Sequence, residues 1–167
     1  MRRFRGLLLV VLIAPLAGAA KVYQPPEDGV EIRFENFTRE KQLFASFWTG
    51  VDNCSKPQAI GEVTRSLVTM VTPGRAVTLS LAGRHADIAD PDSCAVFFSF
   101  LPEAGFSYRA TLQTYQGLCR LGFSRVELAT NAASSADRVI RTYKMPLLPS
   151  QGVCARPDAE QRARLGM

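Results

Sequence analysis

The apolar residues beyond position 30 fall into short runs that alternate with polar residues, and Gly, Pro, Asn or Ser closes nearly every run. Val77, Leu79 and Leu81 alternate with Thr78 and Ser80, and Tyr108, Ala110 and Leu112 alternate with Ser107, Arg109, Thr111 and Gln113. Successive side chains of a strand point to opposite faces, so a period of two marks a strand with one face in a core. Ile32 and Phe34 follow the same rule against Glu31, Arg33 and Glu35. Residues 43–48 and 95–101 are apolar on both faces, which places them mid-sheet or beneath another element. Residues 63–71 read as one further strand ending at Thr72-Pro73-Gly74, a tight turn. Leu121 and Phe123 continue inward; the pattern then slips by one before Val126, which suggests a bulge at Ser124-Arg125. Residues 131–136 are loop-like, and 138–145 form a last strand. Residues 158–165 are polar and suit a short, dispensable terminal helix.

About eight short strands with no long helix predict an all-β fold, an antiparallel β-sandwich, Ig-like or related. No repeat, low-complexity tract or linker divides residues 21–167, which read as one domain with a short polar C-terminal tail.

Residues 1–20 have a different grammar. Arg2, Arg3 and Arg5 precede a short apolar run over residues 7–16, and Ala17-Gly18-Ala19-Ala20 supplies small residues for a cut after Ala19 or Ala20. That is the pattern of a cleavable secretory signal peptide. A spanning helix needs about 20 apolar residues; this run is shorter and carries Pro15, so no membrane span is expected after cleavage. Three of the five net positive charges lie in this leader. What remains has no Lys/Arg run, which argues against a nucleic-acid partner. The expected location is periplasmic or secreted.

Export changes the meaning of the cysteines. Cys54, Cys94, Cys119 and Cys154 all survive cleavage, and an even count outside the cytoplasm predicts two disulfides. No CxxC spacing points to redox or zinc chemistry. If each connection reverses the chain, eight strands put all four at one pole of the sandwich. Joining successive connections there favours Cys54–Cys94 and Cys119–Cys154, although spacing alone leaves all three connectivities open.

Between Cys94 and Cys119, the residues Phe100, Pro102, Gly105 and Tyr108 form a Phe-x-Pro-x-x-Gly-x-x-Tyr pattern followed by a Cys. This segment resembles small exported proteobacterial β-sandwich proteins of unassigned function, lipoproteins among them. The resemblance implies a hairpin and no catalytic residue. The chain departs from the lipoproteins in having no Cys near the cleavage site.

Chemistry-bearing residues are sparse. His85, the sole histidine, shares a loop with Asp87, Asp90 and Asp92, a set able to hold a transition metal. Ile88 and Pro91 interrupt the spacing a calcium loop requires, and Asx turns of a solvated loop account for the same residues. There is no G-x-S-x-G elbow. Glu31, Glu35, Glu62 and Glu103 offer carboxylates for a glycosidase pair, but their pairing in space is not readable. Trp48 and Phe97 belong either to the core or to an exposed aromatic patch for a partner. Asn36-Phe37-Thr38 and Asn53-Cys54-Ser55 match the glycosylation sequon, with no role assigned. No cofactor is implied.

The leading expectation is a non-catalytic binding or structural module of the bacterial envelope, acting through a protein or envelope-glycan surface. The alternatives are a secreted enzyme inhibitor or immunity-type protein presenting the loop 83–93, and a metal-assisted hydrolase using His85 and the nearby aspartates.

Overall fold

The period-two runs become strands whose inward residues meet across a two-sheet core. In a computed structural model, which describes residues 21–38, 42–83, 94–115, 118–143 and 151–167, ten strands and one helix are present among the described residues. They are β1 (Val30–Phe37), β2 (Leu43–Gly50), β3 (Ser55–Val63), β4 (Ser66–Val71), β5 (Val77–Gly83), β6 (Ala95–Phe100), β7 (Phe106–Tyr115), β8 (Leu118–Glu127), β9 (Ala133–Ser135), β10 (Val139–Ile140) and α1 (Ala159–Arg164). The first sheet has the order β4-β1-β7-β8-β9 and the second β10-β6-β5-β2-β3.

Val30, Ile32 and Phe34 of β1, Leu43 and Ala45 of β2, and Val77, Leu79 and Leu81 of β5 are all buried in one cluster. An aromatic seam joins the sheets. Phe98 and Phe100 of the second sheet meet Phe123 of the first at 5.2 and 4.8 Å between ring centroids, and Tyr108 lies 4.9 Å from Phe100. Tilted rings at such distances add roughly 0.5–1.5 kcal/mol per pair beyond the area they bury.

Several expectations need correction. Residues 55–71 hold two strands: β3 belongs to the second sheet and β4 to the first, with a bend at Thr64-Arg65 between them. β3 is an edge strand with eight of its nine residues half-buried or exposed, and Pro57 and Gly61 interrupt it, so no alternation marked it. The sandwich is also mixed, since β1 and β7 pair in parallel with Ile32 opposite Tyr108. No hairpin constrains two strands so far apart in sequence.

The β7–β8 register runs unbroken from Phe106↔Glu127 to Tyr115↔Leu118, without a bulge at Ser124-Arg125. Arg125 simply takes the inward position opposite Tyr108. The irregularity lies elsewhere, where Ala45 faces Gly61 but Ser46 faces Ala59, leaving Ile60 as the extra residue. β9 occupies the stretch expected to be loop; all three residues are exposed, so it showed no pattern. Of the last expected strand, the described part reduces to β10 and an isolated bridge from Tyr143 to Cys154.

The extra strand also overturns the disulfide pairing. The bridges are Cys54–Cys154 and Cys94–Cys119, with Cα separations of 5.3 and 5.6 Å. One added reversal between Cys54 and Cys94 puts them at opposite poles. Cys94 and Cys119 sit where β6 and β8 begin and join the two sheets; Cys54 sits in the β2–β3 turn at the far end. The loops they close span sequence separations of 100 and 25 residues. Taken singly, chain entropy assigns them about 4.7 and about 3.5 kcal/mol.

The C-terminal segment straps over the second sheet. Gly152 lies at φ +75°, and a Cβ there would come within 2.3 Å of the Asn53 carbonyl oxygen. The close approach lets Cys154 N–H donate to Asn53 O at 3.0 Å and the Asn53 amide donate to Gln151 O at 3.0 Å. The terminal helix is present and opens with a capping box between Asp158 and Gln161. It is docked, with Leu165 only 1% exposed and Arg162 paired to Asp52 at 2.8 Å.

Candidate functional site

The two sheets present their outer faces differently. On the second, Trp48, Ser80 and Phe97 share a face because Trp48 lies opposite Thr78 and Ser80 opposite Phe97. The Trp48 indole N–H donates to Ser80 Oγ at 2.9 Å, and its ring lies 5.4 Å from that of Phe97. The Cys54–Cys154 bridge and Val153 pack against them, and Phe97 is 8% exposed. The aromatic pair is therefore the floor of a second small core beneath the strap.

Arg141 completes this layer. It is 4% exposed and donates to Val51 O, Asp52 O, Ala155 O and Ser99 Oγ at 2.5, 2.7, 2.8 and 3.0 Å. Burial lowers its pKa, and the Asp52 charge partly opposes the shift. Its bonds tie the β2–β3 turn, β6 and the strap together. Nothing in the spacing of the sequence distinguishes Arg141 from the surface arginines.

The first sheet's outer face carries an open ladder of charge. Arg33 pairs with Glu31 at 3.5 Å and Arg109 with Glu35 at 3.4 Å, and the Thr111 hydroxyl donates to Glu35 at 3.3 Å. Glu31 and Glu35 are thus spoken for by arginines. At the end of this face Phe37 is 66% exposed and Leu118 63%. Neither was singled out from the sequence, because a single apolar residue at a strand end carries no pattern.

His85, Asp87, Asp90 and Asp92 lie outside the described residues. The mouth of their loop is described: Gly83 N–H donates to Cys94 O at 2.9 Å, and Cys94 is itself bridged to Cys119. Among the described residues no three His, Cys, Asp or Glu side chains form a metal-holding group, and no helix is long and apolar enough to cross a membrane.

A cavity of about 100 Å³ opens where the ends of β6, β8 and α1 meet the β9–β10 connection. Phe100, Leu101, Ala136, Val139 and Leu165 supply apolar wall, and Glu103, Tyr108, Arg125, Asp137, Arg138 and Arg164 the polar part. Arg125 lies over the Phe106 ring at 4.4 Å and bonds Glu103 at 2.8 Å. Both Asp137 oxygens accept from Arg164, which holds the Asp137 carboxyl below the usual range. Tyr108 Oη accepts the Glu103 backbone N–H at 2.9 Å, and burial, its largest influence, pushes the phenol pKa upward. Tyr108 is thus a neutral donor at ordinary pH, suited to binding.

Comparisons with protein-family models, curated proteins and solved structures return no match for this chain.

Proposed function

We propose that this protein is an exported, non-catalytic binding module of the bacterial envelope, and that it engages a protein partner through the outer face of its first sheet. The observation that carries the reading is the asymmetry of the two faces. The chain's own C-terminal segment packs on the second sheet, with Cys154 and Val153 against Trp48 and Phe97. On the first sheet the described residues show instead a ladder of both charge signs beside the exposed Phe37 and Leu118. Interfaces are enriched in aromatic residues and arginine, and mixed charge suits a partner with its own pattern of acids and bases. An envelope glycan is the less favoured occupant, because one exposed Phe among the described residues gives a limited stacking platform. The leader-like residues 1–20, the disulfides and the resemblance of residues 94–119 to exported proteobacterial β-proteins support the location.

The test is photo-crosslinking in the producing cell, with a photoreactive residue in place of Arg33, Phe37 or Arg120 (exposed on β8 opposite Gln113, which itself lies opposite Phe37), and in place of Lys56 on β3 as control. Discrete protein adducts from the face positions, absent from the control and competed by excess unmodified protein, are expected. Adducts equal at all four positions, attachment only to cell-wall glycan, or no adduct at all would contradict the reading.

An inhibitor or immunity-type role through the loop 83–93 is the second reading. It is favoured by the rigid loop base, where the Gly83–Cys94 hydrogen bond adjoins a disulfide that joins both sheets.

A further inference from the structure

We infer that the cavity between the ends of β6, β8 and α1 binds the carboxylate of a small aliphatic molecule. Three guanidiniums (Arg125, Arg138 and Arg164) face two carboxylates (Glu103 and Asp137) in its lining. The carboxylates are already engaged: Glu103 accepts from Arg125, and Asp137 accepts from Arg164 through both oxygens. Arg138 makes no ion pair among the described residues, and its guanidinium donates to the Leu121 carbonyl at 3.2 Å. The site is left with one positive charge in excess.

The donors point the same way. Arg125 Nε and Arg138 Nε are buried without a hydrogen-bond partner, and both residues line this cavity. A buried donor without an acceptor costs roughly 1–3 kcal/mol, more when it is charged. Tyr108 Oη accepts from the Glu103 N–H, so its own hydrogen remains to donate. The Arg125, Arg138 and Arg164 guanidiniums and this phenolic O–H line one cavity, a donor set that suits a single carboxylate.

Size and polarity narrow the class. An engineered apolar cavity of roughly 150 Å³ holds benzene, so about 100 Å³ admits roughly four to six non-hydrogen atoms. The apolar side, formed by Phe100, Ala136, Val139 and Leu165, suits a short alkyl group. Inorganic phosphate would set a larger charge against a single excess cation and leave that wall facing oxygen. Water filling would satisfy the donors but not the charge. A free short-chain acid and the C-terminal carboxylate of a short peptide present the same chemistry.

The experiment is nuclear magnetic resonance of the Arg Nε–H groups in the disulfide-intact protein. Butyrate, N-acetyl-Ala-Ala and its C-terminal amide, and inorganic phosphate are titrated in turn. Saturable shifts of the Arg125 and Arg138 Nε–H signals with butyrate are expected. Shifts with the dipeptide acid but not its amide would extend the site to peptide termini; butyrate alone would restrict it to free acids. Arg138→Gln should weaken butyrate at least about tenfold, the worth of one charge-assisted bond, with Arg138→Lys recovering part. Both variants should keep the Trp48 emission of the folded protein. Signals unmoved by any carboxylate, or moved equally by phosphate, would overturn the assignment, and this readout in the unsubstituted protein stands even if a variant fails to fold.

Discussion

The Arg141 guanidinium donates to the Ser99 hydroxyl at 3.0 Å beneath the C-terminal strap, and Ser99 in turn bonds Thr78 at 2.7 Å. A buried cation is thereby held almost wholly by neutral oxygens, three of them backbone carbonyls from two separate loops. Truncation would strand those carbonyls. Arg141→Ala should cost about 3 kcal/mol or more in denaturant unfolding, and Arg141→Lys, lacking the planar fork, should recover less than half. A loss within about 0.5 kcal/mol, the range of ordinary surface substitutions, would show that these bonds do not hold the strap.

Trp48 is the sole tryptophan and touches the layer that Cys54 and Cys154 close. Replacing both by Ser should release the strap and move Trp48 emission to the red. Replacing Cys94 and Cys119 by Ser should leave the emission of the folded protein in place, because that bridge lies at the other pole. Equal spectral changes in the two double variants would contradict this arrangement.

The α1 segment separates two kinds of contact. Leu165 is 1% exposed, so Leu165→Ala should lower stability by about 2–3 kcal/mol. The Arg162–Asp52 pair is 44% and 53% exposed, and exposed pairs contribute about 0.2–1 kcal/mol; Arg162→Ala should fall in that range by chemical unfolding. If the arginine costs more than the leucine, the helix is held by charge and not by burial.

Asp137 gives a pH signature. Arg164 depresses its pKa in the folded state from the ordinary 3.8. A depressed acid contributes stability above its unfolded pKa and loses it as pH falls through the folded value. The stability difference between the parent protein and Asp137→Asn should be level above about pH 5, stay under about 1 kcal/mol for so exposed a pair, and vanish in stronger acid. A difference that widens as pH falls would contradict the Arg164 pairing.

Strands with one face in the core were legible because burial imposes alternation, as in Ile32–Phe34 or Tyr108–Leu112. β3 was not: it is an edge strand, all of its first eight residues are exposed or half-buried, and the Thr64-Arg65 bend after it has neither Gly nor Pro. Missing that reversal moved Cys54 to the wrong pole and mispaired all four cysteines. The candidate cavity was illegible for a different reason. Glu103, Arg125, Arg138 and Arg164 come from four separate stretches, and only the meeting of strand and helix ends brings them to one wall. Phe97 was readable as core or as surface, and what covers it was not legible, because the strap returns from more than fifty residues downstream.

Two disulfides clamp the sandwich at opposite poles, and we propose that the protein is exported. The most direct test of both is non-reducing peptide mapping by mass spectrometry of protein recovered from the periplasm or the medium. A chain beginning after Ala19 or Ala20, with Cys54 linked to Cys154 and Cys94 to Cys119, is expected. Four free thiols, or a Cys54–Cys94 link, would contradict it.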